Sequence, residues 1–338
     1  MISYISRRFG LALLSILGAS IVAFIVFRVA PGDPARQALG PFASDEQLAQ
    51  FRADNLLDQS LPAQYWAFIR NFFTGDWGYS YGSGAKVTTL FGDTLAPTIE
   101  LAVVTFIVTV ALATWLALVS TYRPRRWLDR LINALAYVGL GAPAFWVGLV
   151  LVLVFSQWLP VLPGAEGQLD FTYSVPTVTG FMLVDTLLAG DLPAFGNAIT
   201  HLILPVATLG LAVFAYLVRI LRASLLAVGD QQFVLAAEAK GVSRWTAFRR
   251  HALHNALLPM LTASGIVLGQ LLAGTVLVET VFNWPGVGNL LTRSIGLKDY
   301  SVVDVFVMLS ATAYVLVNFI VDVVQLRVDP RILQEEQK

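Results

Sequence analysis

Long apolar runs dominate the chain, and short polar segments separate them. A helix needs about 20 mostly apolar residues to cross the hydrocarbon core of a bilayer. The runs are continuous rather than alternating, which is typical of spanning helices and not of barrel strands. Six runs meet this length: Phe9 to Phe27, Leu101 to Ser120, Ala134 to Phe155, Leu202 to Leu221, Ala256 to Val278 and Val302 to Val324. The pattern predicts an all-α membrane protein with about six transmembrane helices, the third bent at Pro143.

Three weaker segments lie between these runs. Asp45 to Leu56 is predicted to form a short helix that begins at Ser44. Leu61 to Phe73 is amphipathic and rich in aromatic residues, which suits a membrane interface. Thr177 to Ala189 is apolar but too short to span, so it is predicted to be an interfacial or re-entrant piece.

The positive charges indicate the orientation of the chain. With the N-terminus inside, an even number of spans also places the C-terminus inside. Fifteen of the 22 Lys and Arg residues then lie in cytoplasmic segments: Arg7, Arg8, Arg123, Arg125, Arg126, Arg130, Arg219, Arg222, Lys240, Arg244, Arg249, Arg250, Arg327, Arg331 and Lys338. Both termini are therefore predicted to be cytoplasmic.

Composition narrows the class of protein further. Hydrophobic residues make up 57% of the chain and charged residues 13%, against about 25% charged in an ordinary soluble domain. The net charge of zero gives no basic excess for nucleic acid. There is no cysteine and there are three histidines, so neither a disulfide framework nor a metal site is predicted.

The segment between the fourth and fifth runs has the most informative local pattern. Asp230 is a good N-cap residue, and Gly241 is placed for a left-handed C-terminal cap. Ser243 can then begin a second, basic helix from Arg244 to Asn255. On the first helix, one face carries Phe233, Ala236, Ala237 and Lys240. Periodicity alone favours an ordinary amphipathic helix on the membrane surface.

A family resemblance favours a more specific interpretation. The run from Phe233 to Gly241, followed by His251 to Pro259, resembles the coupling-helix signature of ATP-binding-cassette importer permeases, above all the dipeptide/oligopeptide permease family. Further similar segments extend over essentially the whole chain: Pro31 to Pro34, Gln64-Tyr65, Gly75 to Ser80, Thr94 to Leu101, Thr179 to Thr186, Glu279 to Gly288, Asn318 to Asp322 and Asp329 to Arg331. The chain departs from that family at Leu235 and Glu238, where members often carry Arg.

The resemblance implies a fold, an organisation and a set of contacts. The fold is that of a type I importer transmembrane domain. The organisation is an N-terminal transmembrane helix (1–30), an extracytoplasmic segment (31–97), the transmembrane domain (98–327) with a coupling loop (229–255), and a cytoplasmic tail (328–338). The residues implied to contact an ATPase are Phe233, Ala236, Ala237, Glu238, Ala239, Lys240 and Gly241.

The same resemblance implies a function: the chain would be the permease subunit of an ATP-driven dipeptide/oligopeptide importer in a bacterial or archaeal cytoplasmic membrane. Its partners would be a homologous second permease, two ATPase subunits, an extracytoplasmic binding protein and membrane lipid. The chain would bind no cofactor itself, since ATP and Mg would be held by the ATPases. Nickel chelates, glutathione and haem remain open as solutes.

Polar residues near the outer end of the fifth run are candidates for the translocation pathway or an outer gate. Glu279 could gate the pathway or fix the turn that follows it, with Asn283 beside it. Gln270 could line a pore or pair two helices. No Walker sequence G-x-x-x-x-G-K-[ST] and no catalytic constellation is readable, so an enzyme is not predicted. An ion-coupled secondary transporter and a membrane scaffold or receptor remain the rival interpretations.

Overall fold

A computed structural model describes residues 2–29, 34–40, 42–54 and 56–328. The regular elements of this part are helices, apart from an isolated antiparallel bridge between Tyr79 and Lys86. They are α1 (Ile2–Val29), α2 (Pro34–Leu39), α3 (Asp45–Asp54), α4 (Leu61–Thr74), α5 (Val87–Tyr122), α6 (Arg126–Gly141), α7 (Ala144–Val152), α8 (Met182–Leu188), α9 (Leu192–Gly229), α10 (Gln232–Ala239), α11 (Arg244–Ala247), α12 (Leu253–Gly274), α13 (Val276–Val281), α14 (Val287–Gly296) and α15 (Tyr300–Val328). Wider π-helical turns extend α7 over Leu153–Trp158 and join α11 to α12 over Phe248–Ala252.

The predicted short helix of the outer segment is confirmed as α3, and the amphipathic stretch from Leu61 to Phe73 forms α4. Ser44 begins α3 in a reciprocal cap: its Oγ accepts from the Gln47 N–H at 3.2 Å, and its own N–H donates to Gln47 Oε1 at 2.9 Å. The motif residues 31–33 and 329–331, and the tail beyond residue 328, lie outside the described residues.

Four helices in the described part are long and apolar enough to cross a membrane, and a fifth follows if a bent pair is one span. The four are Val87–Tyr122, Leu192–Gly229, Arg244–Leu271 and Tyr300–Val324, and the bent pair is Arg126–Gly141 with Ala144–Trp158. These helices and the bent pair include most or all of each predicted span from the second to the sixth. The predicted fifth span, Ala256 to Val278, extends beyond the end of the helix Arg244–Leu271. The predicted first span lies within α1, where the side chains of its last residues, Val26 and Phe27, fall outside the described residues.

The third run has the predicted bend at Pro143, and the bend separates two helices instead of curving one. Helices α6 and α7 meet at 117° around Ala142 and Pro143. Proline disfavours helical geometry in the residue before it, and Ala142 has the extended angles φ −105° and ψ 140°. The run therefore turns sharply, and α6 packs one buried face, including Leu128 and Ile132, along α9.

The main core forms where α5, α9 and α12 meet. Its centre includes the fully buried side chains of Leu101, Leu217, Leu221 and Met260. Helix α15 packs against the other side of α12, and α1 packs against α15. Helix α10 lies near the start of the segment that leads into α12, and the α13–α14 turn follows the end of α12, so the two lie at opposite ends of the bundle.

Candidate functional site

Helix α10, the predicted coupling helix, is a short helix between two long ones. It begins after Gln231, whose backbone is extended, rather than at Asp230. Asp230 ends α9 instead, because α9 continues to Gly229 and leaves Asp230 as its C-terminal cap. The prediction of Asp230 as the N-cap is therefore wrong.

The C-terminal end of α10 follows the sequence prediction closely. Gly241 has φ +89°, a left-handed conformation that glycine adopts without a Cβ penalty. The Gly241 N–H donates to the Glu238 carbonyl at 2.9 Å, and the Val242 N–H donates to the Ala237 carbonyl at 3.2 Å. This pair of bonds is a Schellman cap. Ser243 then caps α11 by accepting from the Thr246 N–H at 3.3 Å, so the turn between the helices is fixed on both sides.

Helix α10 has one anchored side and one open side. Val234 is 2% exposed and forms a small cluster with the buried Ala247 and Ala252. Phe233 is 42% exposed. Of the other residues implied to contact an ATPase, Ala236, Ala239, Lys240 and Gly241 are exposed and Ala237 and Glu238 are half-buried. Most of the predicted contact residues are therefore accessible, while the Val234 side of α10 is packed against Ala247 and Ala252.

Aromatic contacts join this region to the ends of two spans. The Tyr122 ring, at the end of α5, lies 4.8 Å from the Trp245 ring and 5.7 Å from the Phe248 ring, measured between centroids. Phe248 also packs against Gly229 at the end of α9. From α11 the chain is helical without a break into α12, through the π turns. A displacement of α10 would therefore act on α5, α9 and α12 together.

An ion pair lies elsewhere on α6 and α9. Arg222 Nη2 lies 2.6 Å from Asp129 Oδ1, and both side chains are partly buried. The pair joins the first turn of α6 to α9. Charge-assisted contacts of this kind fix relative position more than they add stability.

The α13–α14 turn is organised by Glu279, which has no exposed surface. One carboxyl oxygen accepts from the Thr98 and Thr275 hydroxyls at 2.8 and 2.7 Å. The other accepts from the N–H groups of Gly288 and Asn289 at 2.7 and 3.2 Å. Of the two roles considered for Glu279, the geometry supports fixing the turn, because the carboxylate is enclosed.

The same turn is bound to α5 by further hydrogen bonds. The buried Trp284 donates its indole N–H to the Pro97 carbonyl at 3.0 Å, and the Val287 N–H donates to Thr98 Oγ1 at 2.8 Å. Asn283 is exposed and has a left-handed φ of 49°. Gln270 is also exposed, on α12.

Sequence reasoning did not anticipate how the loop after α7 is held. Gln168 Nε2 donates to the buried Glu100 at 3.1 Å, and the Gly167 N–H donates to the Phe282 carbonyl at 3.2 Å. Glu100 also accepts from the N–H groups of Met182 and Leu183 at the start of α8. Glu100 is a buried polar residue inside an apolar helix, and that mismatch is the sequence signal that could have identified it.

Asp185 completes this loop on α8. Burial disfavours its charged form, but hydrogen bonds from the Thr179 hydroxyl and the N–H groups of Thr179, Gly180 and Val178 outweigh that effect. The pKa of Asp185 therefore lies below its ordinary value. Among the described residues, no group of three or more His, Cys, Asp or Glu side chains is placed to hold a metal ion.

Known proteins similar to this chain cover nearly its whole length. Residues 109–334 match the family described as binding-protein-dependent transport system inner membrane component, and residues 1–113 match its N-terminal family. The probable D,D-dipeptide transport system permease protein DdpB of Escherichia coli K12 is 38% identical over 327 residues, 96% of each chain.

Two other relatives show the same coverage with different names. The di/tripeptide transport system permease protein DppB of Pseudomonas aeruginosa UCBPP-PA14 is 36% identical over 336 residues, 98% of this chain and 99% of the relative. The glutathione transport system permease protein GsiC of Salmonella paratyphi A is 32% identical over 335 residues, with 98% and 99% covered. Together with the apolar helices, these matches establish that the chain belongs to the family of inner membrane components of binding-protein-dependent transport systems and is a multi-pass membrane permease subunit.

Proposed function

We propose that this chain is one of two membrane subunits of an ATP-driven importer of dipeptides or oligopeptides, and that α10 docks on a cytoplasmic ATPase. The observation that carries the proposal is the two-sided character of α10. Val234 anchors one side in a buried cluster, while Phe233, Ala236 and Lys240 remain accessible on the other. A helix with one side packed against its own chain and the other side accessible is suited to transmit the movement of a partner.

Peptide is the proposed solute because of the names of the relatives. DdpB, DppB and GsiC are named for D,D-dipeptides, di- and tripeptides, and glutathione, all of which are short peptides. The chain supplies half of the pathway, and a homologous second permease supplies the other half. An extracytoplasmic binding protein delivers the peptide to the outer surface.

The proposed orientation follows the charge bias, with both termini and α10 in the cytoplasm. The sequence has no Walker motif, so ATP and Mg are held by two ATPase subunits and not by this chain. In this orientation the α13–α14 turn lies at the extracytoplasmic end of the bundle.

The proposed mechanism is alternating access. ATP binding closes the ATPases, and their movement displaces residues 231–241. The contacts of Trp245 and Phe248 with Tyr122 transmit that displacement to α5, and the continuous α11–α12 helix carries it outward. The Glu279-bonded turn, over residues 279–288, then moves as a unit, because it is hydrogen-bonded to α5.

Substitutions on the open side of α10 test the docking. Ala236→Trp adds bulk at an exposed position of the contact face, and Gly241→Trp adds bulk while straining the left-handed residue. We expect each assembled complex, reconstituted in proteoliposomes, to keep ATP hydrolysis but lose ATP-driven uptake of a radiolabelled dipeptide. Ala63→Trp, at an exposed alanine of α4, is the matched control and should keep both activities.

Purification of the tagged chain from its native membrane in mild detergent tests the assembly. Co-purification of a second permease and of ATPases supports the proposal. Recovery of the folded chain alone, or full uptake by both α10 variants, refutes it.

A further inference from the structure

A cavity of about 600 Å³ lies between the outer helices and the start of the last span. Its walls come from the end of α3, the inner face of α4, residues 76–81 and the first turns of α15. None of its described lining residues belongs to α10 or to the α13–α14 turn. Its volume falls within the range of cavities that bind small molecules.

Aromatic rings supply most of the large side chains of this cavity. Seven of its lining residues are aromatic: Phe51, Phe68, Phe72, Trp77, Tyr79, Tyr81 and Tyr300. The Phe72 and Trp77 rings stack 5.9 Å apart, and the Trp77 indole N–H donates to the Phe72 carbonyl at 2.9 Å. Phe51 and Tyr81 meet edge to face at 5.6 Å. These contacts hold the rings in place before any ligand arrives.

Charge in the cavity has a single sign. Asp54, Asp76 and Asp304 contribute to the lining, and no Lys, Arg or His is among the lining residues that the structure describes. Asp54 and Asp76 are exposed at the rim. Asp304 makes an interaction within the protein, so the two rim carboxylates carry the argument. An anion would be repelled here, and a cation would be attracted.

We propose that this cavity binds an organic ammonium group. The faces of Trp, Tyr and Phe rings attract cations, and sets of such rings are a known way to recognise quaternary ammonium. The rim carboxylates add Coulomb attraction, which steers a cation into the aromatic walls. The ammonium can come from a lipid head group, since α4 packs against α1, or from the free α-ammonium of a peptide.

The test uses benzyltrimethylammonium as the probe and neopentylbenzene, its uncharged isostere, as the reference ligand. Binding to the purified full chain in alkyl maltoside micelles is followed by ligand-observed NMR. We expect saturable binding of the cation at least about tenfold tighter than that of the isostere. Equal binding of the two compounds, or no binding of the cation, overturns the proposal.

Variants assign the binding to the cavity. Tyr79→Leu, which removes a 58% exposed ring, should weaken the cation about fivefold or more, while Tyr79→Phe, which keeps the ring, should bind as the wild type does. Asp76→Asn should also weaken binding, and Asp93→Asn, an exposed aspartate outside the cavity, should not. Unchanged affinity in both Tyr79→Leu and Asp76→Asn places the binding elsewhere and refutes the proposal.

Competition identifies the source of the ammonium. Glycerophosphocholine represents a lipid head group, and phenylalanine amide represents a peptide α-ammonium. Stronger displacement of the probe by glycerophosphocholine assigns a lipid site, and stronger displacement by phenylalanine amide assigns a peptide-type site. Failure of both compounds to displace a saturably bound probe contradicts an ammonium site of either kind.

Discussion

Replacement of Glu279 by alanine should release the α13–α14 turn. The carboxylate is the acceptor for four donors, two of which are the backbone N–H groups of Gly288 and Asn289. Those two N–H groups cannot turn to other partners. A buried donor without an acceptor costs about 1–3 kcal/mol, so the local cost in Glu279→Ala is about 2–6 kcal/mol. The hydroxyls of Thr98 and Thr275 can rotate and add little.

Glu279→Gln is the matched variant because it keeps the shape of the side chain. Its amide oxygen can accept from Gly288 and Asn289, and its NH₂ group then faces the two hydroxyls, which can rotate to accept. We therefore expect a distinctly smaller cost than in Glu279→Ala. Any remaining loss reflects the weaker hydrogen bonds of a neutral acceptor.

Amide hydrogen exchange, read by mass spectrometry on a peptide that covers residues 284–293, measures this cost. A loss of about 2 kcal/mol corresponds to about 30-fold faster exchange through local opening, since about 1.4 kcal/mol is tenfold. A core peptide of α9 serves as the internal reference and should be unchanged. Exchange in Glu279→Ala within about threefold of the wild type, or a Gln variant as fast as the Ala variant, would refute the assignment of Glu279 as the anchor of this turn.

Three further predictions concern other contacts. Gly139→Ala should lower the thermal unfolding temperature more than Gly196→Ala, because the new Cβ would meet the Leu211 carbonyl oxygen at 2.5 Å in the first case and nothing within 4 Å in the second; equal shifts would count against this packing. The pKa of Asp185 is depressed, so its stabilisation of residues 178–180 is complete above the ordinary value of about 3.9 and is lost as the pH falls below it. Exchange protection there, corrected for intrinsic rates, should hold from neutral pH to about pH 5 and fall below about pH 4, whereas Asp185→Asn should show no such step. Asp129→Arg should weaken uptake by the assembled importer, because it breaks the 2.6 Å ion pair with Arg222. The double variant Asp129→Arg with Arg222→Asp should recover part of the lost uptake. Uptake by the double variant no better than that of the single one would show that the pair is incidental.

Local patterns in the sequence were sufficient for the parts of the fold that depend on neighbouring residues. Ser44 predicted the start of α3, and Gly241 predicted the end of α10, because capping involves residues a few positions apart. The long apolar runs predicted most of the spanning helices for the same reason, since hydrocarbon selects on length and hydrophobicity alone. The family was identified from motifs that lie within short segments.

Contacts between distant segments were decided only by the tertiary structure. Hydropathy could not show that the third run turns through 117°, because Pro143 permits either a bend or a break and packing against α9 selects the break. The carboxylate of Glu279 looks like a possible pathway group in the sequence. It becomes a structural anchor because the Thr98 hydroxyl on α5 and two N–H groups at the start of α14 supply its hydrogen bonds. Glu100 is held in the same way by Gln168, which lies 68 residues away in the sequence. The aromatic cavity likewise depends on segments that meet only after folding, since its rings come from α3, α4, residues 77–81 and α15.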